Sequence, residues 1–455
     1  MHKNRIRVLT SHQVRQKAYV LYWMQHTQRI QNNFALETAI TYANDHGLPL
    51  KLLFVLTPDF KDAYARHYAF MLEGIEAVRK QCAALNIDFV LAVGAFEAQV
   101  HAHLKNASLL VMDDAYMPAL VQIKKTIATK ADALGCAVLQ VFSDVIVPVD
   151  KVSQKCEYAA RTIRKKLHQL VDTYLAEAEI KPVNNGTFEA REALSIETLM
   201  QTIDADMRVK KSRYFEGGEL NAYKQLDWYC ENQLSNYGKS SDPGEDITSK
   251  LSPYLHFGQI SAVDIYQKVS AYTDQFPEAV EAFIEQLLVR RELAYNFVTY
   301  CDGFDQFDTM TYPWAYKTMD GHLSDERTHI YSIDDYIHAN THDPYFNAAM
   351  IEMVHTGFMH NTMRMYWGKK IIEWSLDYKT AYETILTLNN RYFIDGRDPV
   401  SYASVAWLFG RHDRAFQSRE VFGKLRYMNA KGLKRKYDMD AYLTRMAQVK
   451  SDSED

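Results

Sequence analysis

A chain of 455 residues is long enough for two or three domains with full-sized cores. With 47% apolar residues and no apolar run near the ~18–20 residues that span a bilayer, it reads as a globular, non-membrane protein. The net charge of −5 argues against nucleic-acid binding through bulk charge, and the five scattered cysteines, with no CxxC, indicate neither a disulfide framework nor a zinc site.

From the N-terminus, no apolar stretch follows the charged start, so no secretory signal is read there and a reducing cytoplasm is expected. Strand-like runs at 18–23, 52–56, 89–93, 109–112 and 138–147 alternate with helical periodicity at 35–44, 68–85 and 120–134. That alternation predicts a doubly wound α/β domain with a parallel sheet over 1–180. Neither GxGxxG nor GxxxxGK[ST] occurs, so no Rossmann dinucleotide site or P-loop is claimed. The Lys-Pro-Val-Asn-Asn-Gly run at 181–186 opens a linker expected over 181–204. From 205 to 455 helical patterns dominate, clearest at 283–300, 343–374 and 378–389, so this half is predicted all-α. Residues 411–450 carry eleven Lys/Arg against four acids, so the positive charge is concentrated near the C-terminus. The acidic last residues, 451–455, are expected to be disordered.

Four constellations carry chemistry. In Thr248-Ser249-Lys250-Leu251-Ser252-Pro253, small hydroxyls beside a helix start can bind phosphate oxygens, although an ordinary N-cap reads the same way. Glu285 and Glu292, seven apart, share a helix face and Arg291 lies beside them, where an ion-pair network is the plainer reading. Trp367 and Trp374 have the same spacing, and indoles so placed are usually core. The Asp395-Gly396-Arg397-Asp398-Pro399 turn after Asn389 can bring a carboxylate close to a ligand ring.

Taken in order, the motifs are specific. SxLSPYLHFGQIS (249–261), RREL (290–293), MHxxMRMYW (359–367), KKIxEW (369–374), LNxRY (388–392), DGRDP (395–399), HDR (412–414) and REVFGKxRYMN (419–429) succeed one another. In this the chain resembles class II cyclobutane pyrimidine dimer photolyases of the photolyase/cryptochrome family. The likeness also covers Tyr22-Trp23-Met24 and residues 28–36. It implies an all-helical FAD-binding domain after the α/β domain, and light-driven repair of dimers in UV-damaged DNA. The electron would pass from excited reduced FAD to a dimer flipped from the duplex. By the same resemblance Tyr237, Thr248, Ser249, Leu251 and Ser252 hold the cofactor's phosphates and ribityl chain, and Arg291, Asn361 and Asp398 join them. Arg364 and Asp395 form the ion pair beside the flavin ring, and Asn389 lies near its N5. Glu285, with Glu292 as its rival, contacts the lesion, and Met365 and Trp407 wall it. Trp367, Trp374 and the position of Phe346 form the electron-transfer chain, and the adjacent Tyr345 could substitute at the last of these. Arg411, Arg414, Lys424, Arg426, Lys434 and Arg435 meet DNA. No metal is implied, and a monomer is expected. A second, antenna chromophore, a deazaflavin or a folate, is left open.

The departures are local. Phe346 stands where the family carries tryptophan, and indole is far easier to oxidise than phenyl. Phe416 replaces another tryptophan, the 407–412 segment is one residue short, and Val400-Ser401 replaces Asn-Gly. Phe346 and the shortened 407–412 segment favour the alternative, a cryptochrome-like blue-light receptor without repair activity.

Overall fold

The computed structural model describes residues 2–10, 12, 14, 16–186 and 195–454. Its first part is a six-stranded sheet: β1 (Ile6–Val8), β2 (Tyr19–Met24), β3 (Leu50–Leu56), β4 (Asp88–Val93), β5 (Ala107–Asp113) and β6 (Ala137–Val141). Their spatial order is β1-β6-β5-β2-β3-β4, parallel except for β1, which runs antiparallel to β6. The side chains of β2 alternate between two cores. Val20, Tyr22 and Met24 pack with α1 (Phe34–Asp45) and α2 (Ala65–Ala84), while Leu21 and Trp23 pack with α3 (Phe96–Leu104) and α4 (Pro118–Ala133). Helices therefore cover both faces, as the near-continuous apolar strands require. The sequence order reverses between β2 and β5, which opens a crevice at their carboxyl ends. There Asp113 accepts the backbone N–H groups of Gln25, His26 and Thr27 through Oδ2 and the Tyr22 hydroxyl through Oδ1.

The remaining elements are helical, and several depart from the periodicity reading. The strand expected over 138–147 ends at Val141, because the amides of Ile146 and Val147 donate to Glu292 of the helical half instead of to a strand. The single helix expected over 343–374 is two, Pro344–Thr356 and Asn361–Trp374. Gly357 breaks it with φ +81°, where a Cβ would lie 2.7 Å from Ile394 Cγ1. The helix Met439–Glu454 takes in residues 451–454 of the acidic end expected to be disordered. Of the linker, residues 181–186 lie against the α/β half, with the Val183 N–H donating to Leu85 O; 187–194 fall outside the described residues; and Ile196–Gln201 is helical.

Buried arginines join the halves. Arg29 donates to Gly258 O, and Arg66 donates to the carbonyls of Met353, Val354 and Tyr392. Each guanidinium supplies donors to backbone carbonyls of the other half. Two of the five cysteines, Cys156 and Cys301, form a disulfide, against the expectation of none. They lie 145 residues apart, so no local spacing could announce them. Among the described residues no helix is long and apolar enough to cross a membrane, and no side-chain cluster could hold a metal ion.

Candidate functional site

Four segments of the helical half bring most of the expected cofactor residues into one cluster, called the bowl below. At its centre is the Arg364–Asp395 pair. Arg364 sits one turn into the helix Asn361–Trp374, and its Nη2 donates to both Asp395 oxygens at 3.1 and 3.0 Å. Its Nε donates to Met359 O, and its guanidinium lies 3.9 Å above the Phe393 ring. Asp395 reaches this position because Gly396 can press against the end of the helix Tyr378–Tyr392: a Cβ there would stand 2.8 Å from Asn389 O. Asn389, on that last turn, is buried and donates to Asn390 Oδ1. Asn390 Oδ1 also accepts the Arg397 N–H and so fixes the turn. Asp398 caps the next helix, Pro399–Leu408, by accepting the Ser401 N–H.

The rim comes from earlier in the chain. His256, in the short helix after Leu251 and Ser252, lies 3.8 Å from Asp398 and accepts from Arg397 at 3.5 Å. Tyr237 ends against Phe283, and the carbonyls of Ser240 and Ser241 meet His360 Nε2 and Thr362 Oγ1 at the start of the Arg364 helix. Segments 237–241, 248–256, 360–364 and 389–398 thus close on one another. Lys250 takes φ +53° and pairs with Asp246, which turns the 248–252 segment. The Thr248 Oγ1 is buried with no hydrogen-bond partner, as is His256 Nδ1. A buried hydroxyl without an acceptor or donor is costly. In a loop rich in small hydroxyls, it fits an oxygen-rich ligand such as a phosphate. Asn361 is exposed at the bowl's edge.

Arg291 feels the charge of Asp398 at the edge of this cluster, but its hydrogen bonds lie elsewhere. It is spent on Asp144 (Nη2–Oδ1 2.8 Å) and on the Tyr295 hydroxyl, in the seam between the two halves. Glu292 lies in the same seam and accepts the N–H groups of Ile146 and Val147. Burial pushes its carboxyl up to about 8, although Arg291, these amides and Arg5 oppose the shift. An unfolded glutamate titrates near 4.5, so the stability this group contributes is complete below 4.5 and is lost as pH rises through 8. The slope is at most about 1.4 kcal/mol per pH unit. Glu292→Gln, which keeps an acceptor for the amides, is expected to flatten the fall in stability between pH 5.5 and 8. Denaturant midpoints of the two proteins across that range test this; parallel curves would refute it.

Glu285 belongs to the π-helical turn Glu285–Arg290 and is half-buried. Its carboxylate is clasped by Arg164 at 3.0 and 2.8 Å and by Arg290 at 3.1 Å. Burial favours its neutral form, but these arginines outweigh it and hold the carboxyl below its usual range. Of the two glutamates, only Glu285 has solvent on one side.

A second group surrounds Trp407, half-buried on the helix Pro399–Leu408. The Arg426 guanidinium lies 5.2 Å from its ring and 4.6 Å from Phe416, and Asp413 holds Arg426 by two hydrogen bonds. Arg414, Lys424, Lys434 and Arg435 are exposed along the same C-terminal stretch. Arg411 departs from the expectation that it meets DNA. It is buried, with its guanidinium 4.8 Å from the Phe297 ring and 4.5 Å from Tyr312. Met365 is half-buried beside Arg364. The sequence reading missed Asn390, His256 and Asp413, which position these groups. Their positions inside the matched motifs were the available signal.

The aromatic set is enclosed. Trp367 donates Nε1–H to Met350 Sδ, and Phe346 stands 5.1 Å from Trp374 and 5.2 Å from Tyr336. Tyr345 is buried next to Phe346.

Residues 20–184 match the family model described as DNA photolyase. Over 448 residues the chain is 39% identical to the deoxyribodipyrimidine photo-lyase of Methanothermobacter thermautotrophicus, covering 98% of each chain. It is 35% identical to that of Potorous tridactylus, over 96% of this chain and 83% of the other. Among solved structures, an archaeal photolyase from Sulfolobus tokodaii with two FAD molecules superposes with a TM-score of 0.70 at 14% identity, covering 93% of this chain and 88% of that one.

Proposed function

The chain belongs to the deoxyribodipyrimidine photo-lyase family of DNA photolyases, and we propose that it acts as a class II enzyme, holding FAD in the bowl and splitting cyclobutane pyrimidine dimers under light. The observation that carries this reading is the Arg364–Asp395 pair together with the buried, unpartnered Thr248 hydroxyl on a segment that closes on the same cluster. FAD, when bound in its reduced form, supplies the electron that light releases to the lesion. The chain does the rest. The hydroxyls of Thr248, Ser249 and Ser252 take the phosphates. The Arg364 cation balances negative charge on the ring, which a low-dielectric site requires. Asn389 would offer its amide to the flavin ring, and Asp398 and Asn361 would complete the set of residues that hold the cofactor.

Trp407 and Met365 form the apolar wall on which the flipped bases stack, and Glu285 is the carboxyl at the lesion. Glu285 becomes available only when Arg164 or Arg290 yields it. Arg414, Lys424, Lys434 and Arg435 meet phosphates, with Arg426 braced by Asp413 between the wall and the backbone. Affinity for DNA is therefore expected to fall with salt. The protein works as a monomer. The crevice at the carboxyl ends of β2 and β5 would take a second chromophore, a deazaflavin or a folate. The buried, unpartnered oxygens of Gln25, Thr27, Gln28 and Asp114 support that place.

The test is loss of thymine dimers from DNA under blue light, with dithionite-reduced, flavin-loaded protein and a dark control. Trp407→Ala is expected to weaken binding of dimer-containing DNA by about 1–3 kcal/mol of lost stacking while leaving undamaged DNA bound as before. No light-dependent repair by the reduced protein would overturn the reading and leave the cryptochrome-like alternative, which Phe346 favours.

A further inference from the structure

The repair chemistry uses no cysteine, yet the five cysteines divide sharply. Cys82, Cys136 and Cys230 are buried, and burial pushes the thiols of Cys82 and Cys230 up to about 12 and about 11. Such thiols are inert. Cys156 and Cys301 are half-buried, within reach of a small reagent, and their Cα atoms lie 5.2 Å apart. Cys156 follows the helix Val149–Val152 of the α/β half, and Cys301 ends the helix Arg291–Tyr300.

Arg411 covers this pair. Its Nη2 donates to Cys156 Sγ at 2.5 Å and to Cys301 Sγ at 2.9 Å. The faces of Phe297 and Tyr312 enclose the rest of the guanidinium, and its Nε has no partner. Among the described residues no carboxylate pairs with it within 4.0 Å. A desolvated cation without an anion is costly. The one anion its immediate neighbours can become, short of a phenolate, is a thiolate.

We propose that Cys156 and Cys301 form a redox-active dithiol/disulfide couple, with Arg411 as the cation that stabilises the thiolate of its reduced form and a low-molecular-weight disulfide of the glutathione class as its reaction partner. The thiolate attacks one sulfur of the small disulfide, forming a mixed disulfide and expelling one small thiolate. The second cysteine then loses its proton and attacks the protein sulfur of that mixed disulfide, expelling the second. Two S–H bonds of the protein are lost and one S–S bond is made. Two electrons reduce the small disulfide, and the two protons end on the two released thiols. The bond ties the α/β half to the helical half beneath the turn that follows Trp407.

The test uses full-length protein treated either with dithiothreitol or with oxidised glutathione, then alkylated with iodoacetamide without denaturant and mapped by peptide mass. The reduced protein is expected to be modified at Cys156 and Cys301 and at no other cysteine. The oxidised protein should be modified at neither and weigh two hydrogens less. Alkylation of both after oxidation, or a lasting glutathione adduct on one with the other free, would overturn the couple. In reduced Arg411→Met, alkylation at neutral pH is expected to slow by about tenfold for each unit the thiol pKa rises. An unchanged rate would remove Arg411 from the proposal.

Discussion

Asp395→Ala is expected to leave the protein without flavin after desalting, with stability lower by about 1.5–3 kcal/mol. That magnitude is what losing hydrogen bonds to a charged group costs. Asp395 is buried, whereas Arg364 keeps 23% of its side chain exposed and stays partly solvated. Its Nε is tied to Met359 O, and its plane lies on Phe393. The turn itself is held by backbone contacts that the substitution leaves in place: Asp395 O accepts the Ser401 hydroxyl, and Gly396 packs on Asn389 O. To separate folding from binding, a doubly neutral variant, Arg364→Met with Asp395→Leu, removes both charges together. It should regain much of the lost stability and still lack flavin. The ratio of flavin to protein absorbance reads the first quantity and a denaturant midpoint the second. Stoichiometric flavin in Asp395→Ala would show that the pair is structural only.

Much of this arrangement is legible in the sequence, for reasons that differ by region. The parallel strands β2, β3 and β5 are buried on both faces, so their apolar runs are unbroken and easily found. β1 is three residues at an edge, with Val8 largely exposed, and carries no such signal. The split of 343–374 at Gly357 is hidden because both helices are buried over much of their length, and the contact that requires glycine is with Ile394, far along the chain. The bowl is legible because its residues lie in short motifs with fixed spacing. What the motifs do not reveal is direction. Arg291 and Glu292 sit in the RREL motif yet turn into the seam, where Asp144 and the amides of 146 and 147 claim them. Arg411 sits in the basic stretch yet turns inward to two sulfurs and two rings. Charge in a sequence counts cations, whereas partners from distant segments decide which of them reach solvent.

Phe346→Trp is expected to speed light-driven reduction of the bound flavin more than any other single change in the aromatic set. Trp367 and Trp374 lie two turns apart on one helix, about 10.5 Å along its axis. Phe346 is buried in edge contact with Trp374, and beyond Trp374 lie Tyr331 at 5.3 Å and His342 at 5.1 Å, nearer the surface. An indole at 346 would add an oxidisable ring where the chain now offers phenyl, which cannot be oxidised at comparable cost. The larger ring must fit a filled core, so a penalty of about 1–3 kcal/mol is expected in the melting transition. Two controls decide the cause. Phe346→Leu should leave photoreduction unchanged, since it removes a ring that carries no electron. Tyr345→Phe should slow it only if the neighbouring phenol already substitutes for the missing indole. Flavin absorbance under continuous blue light with an external reductant reads all three. Equal rates in Phe346→Trp and the unaltered protein would show that electrons reach the flavin by a route that does not pass residue 346.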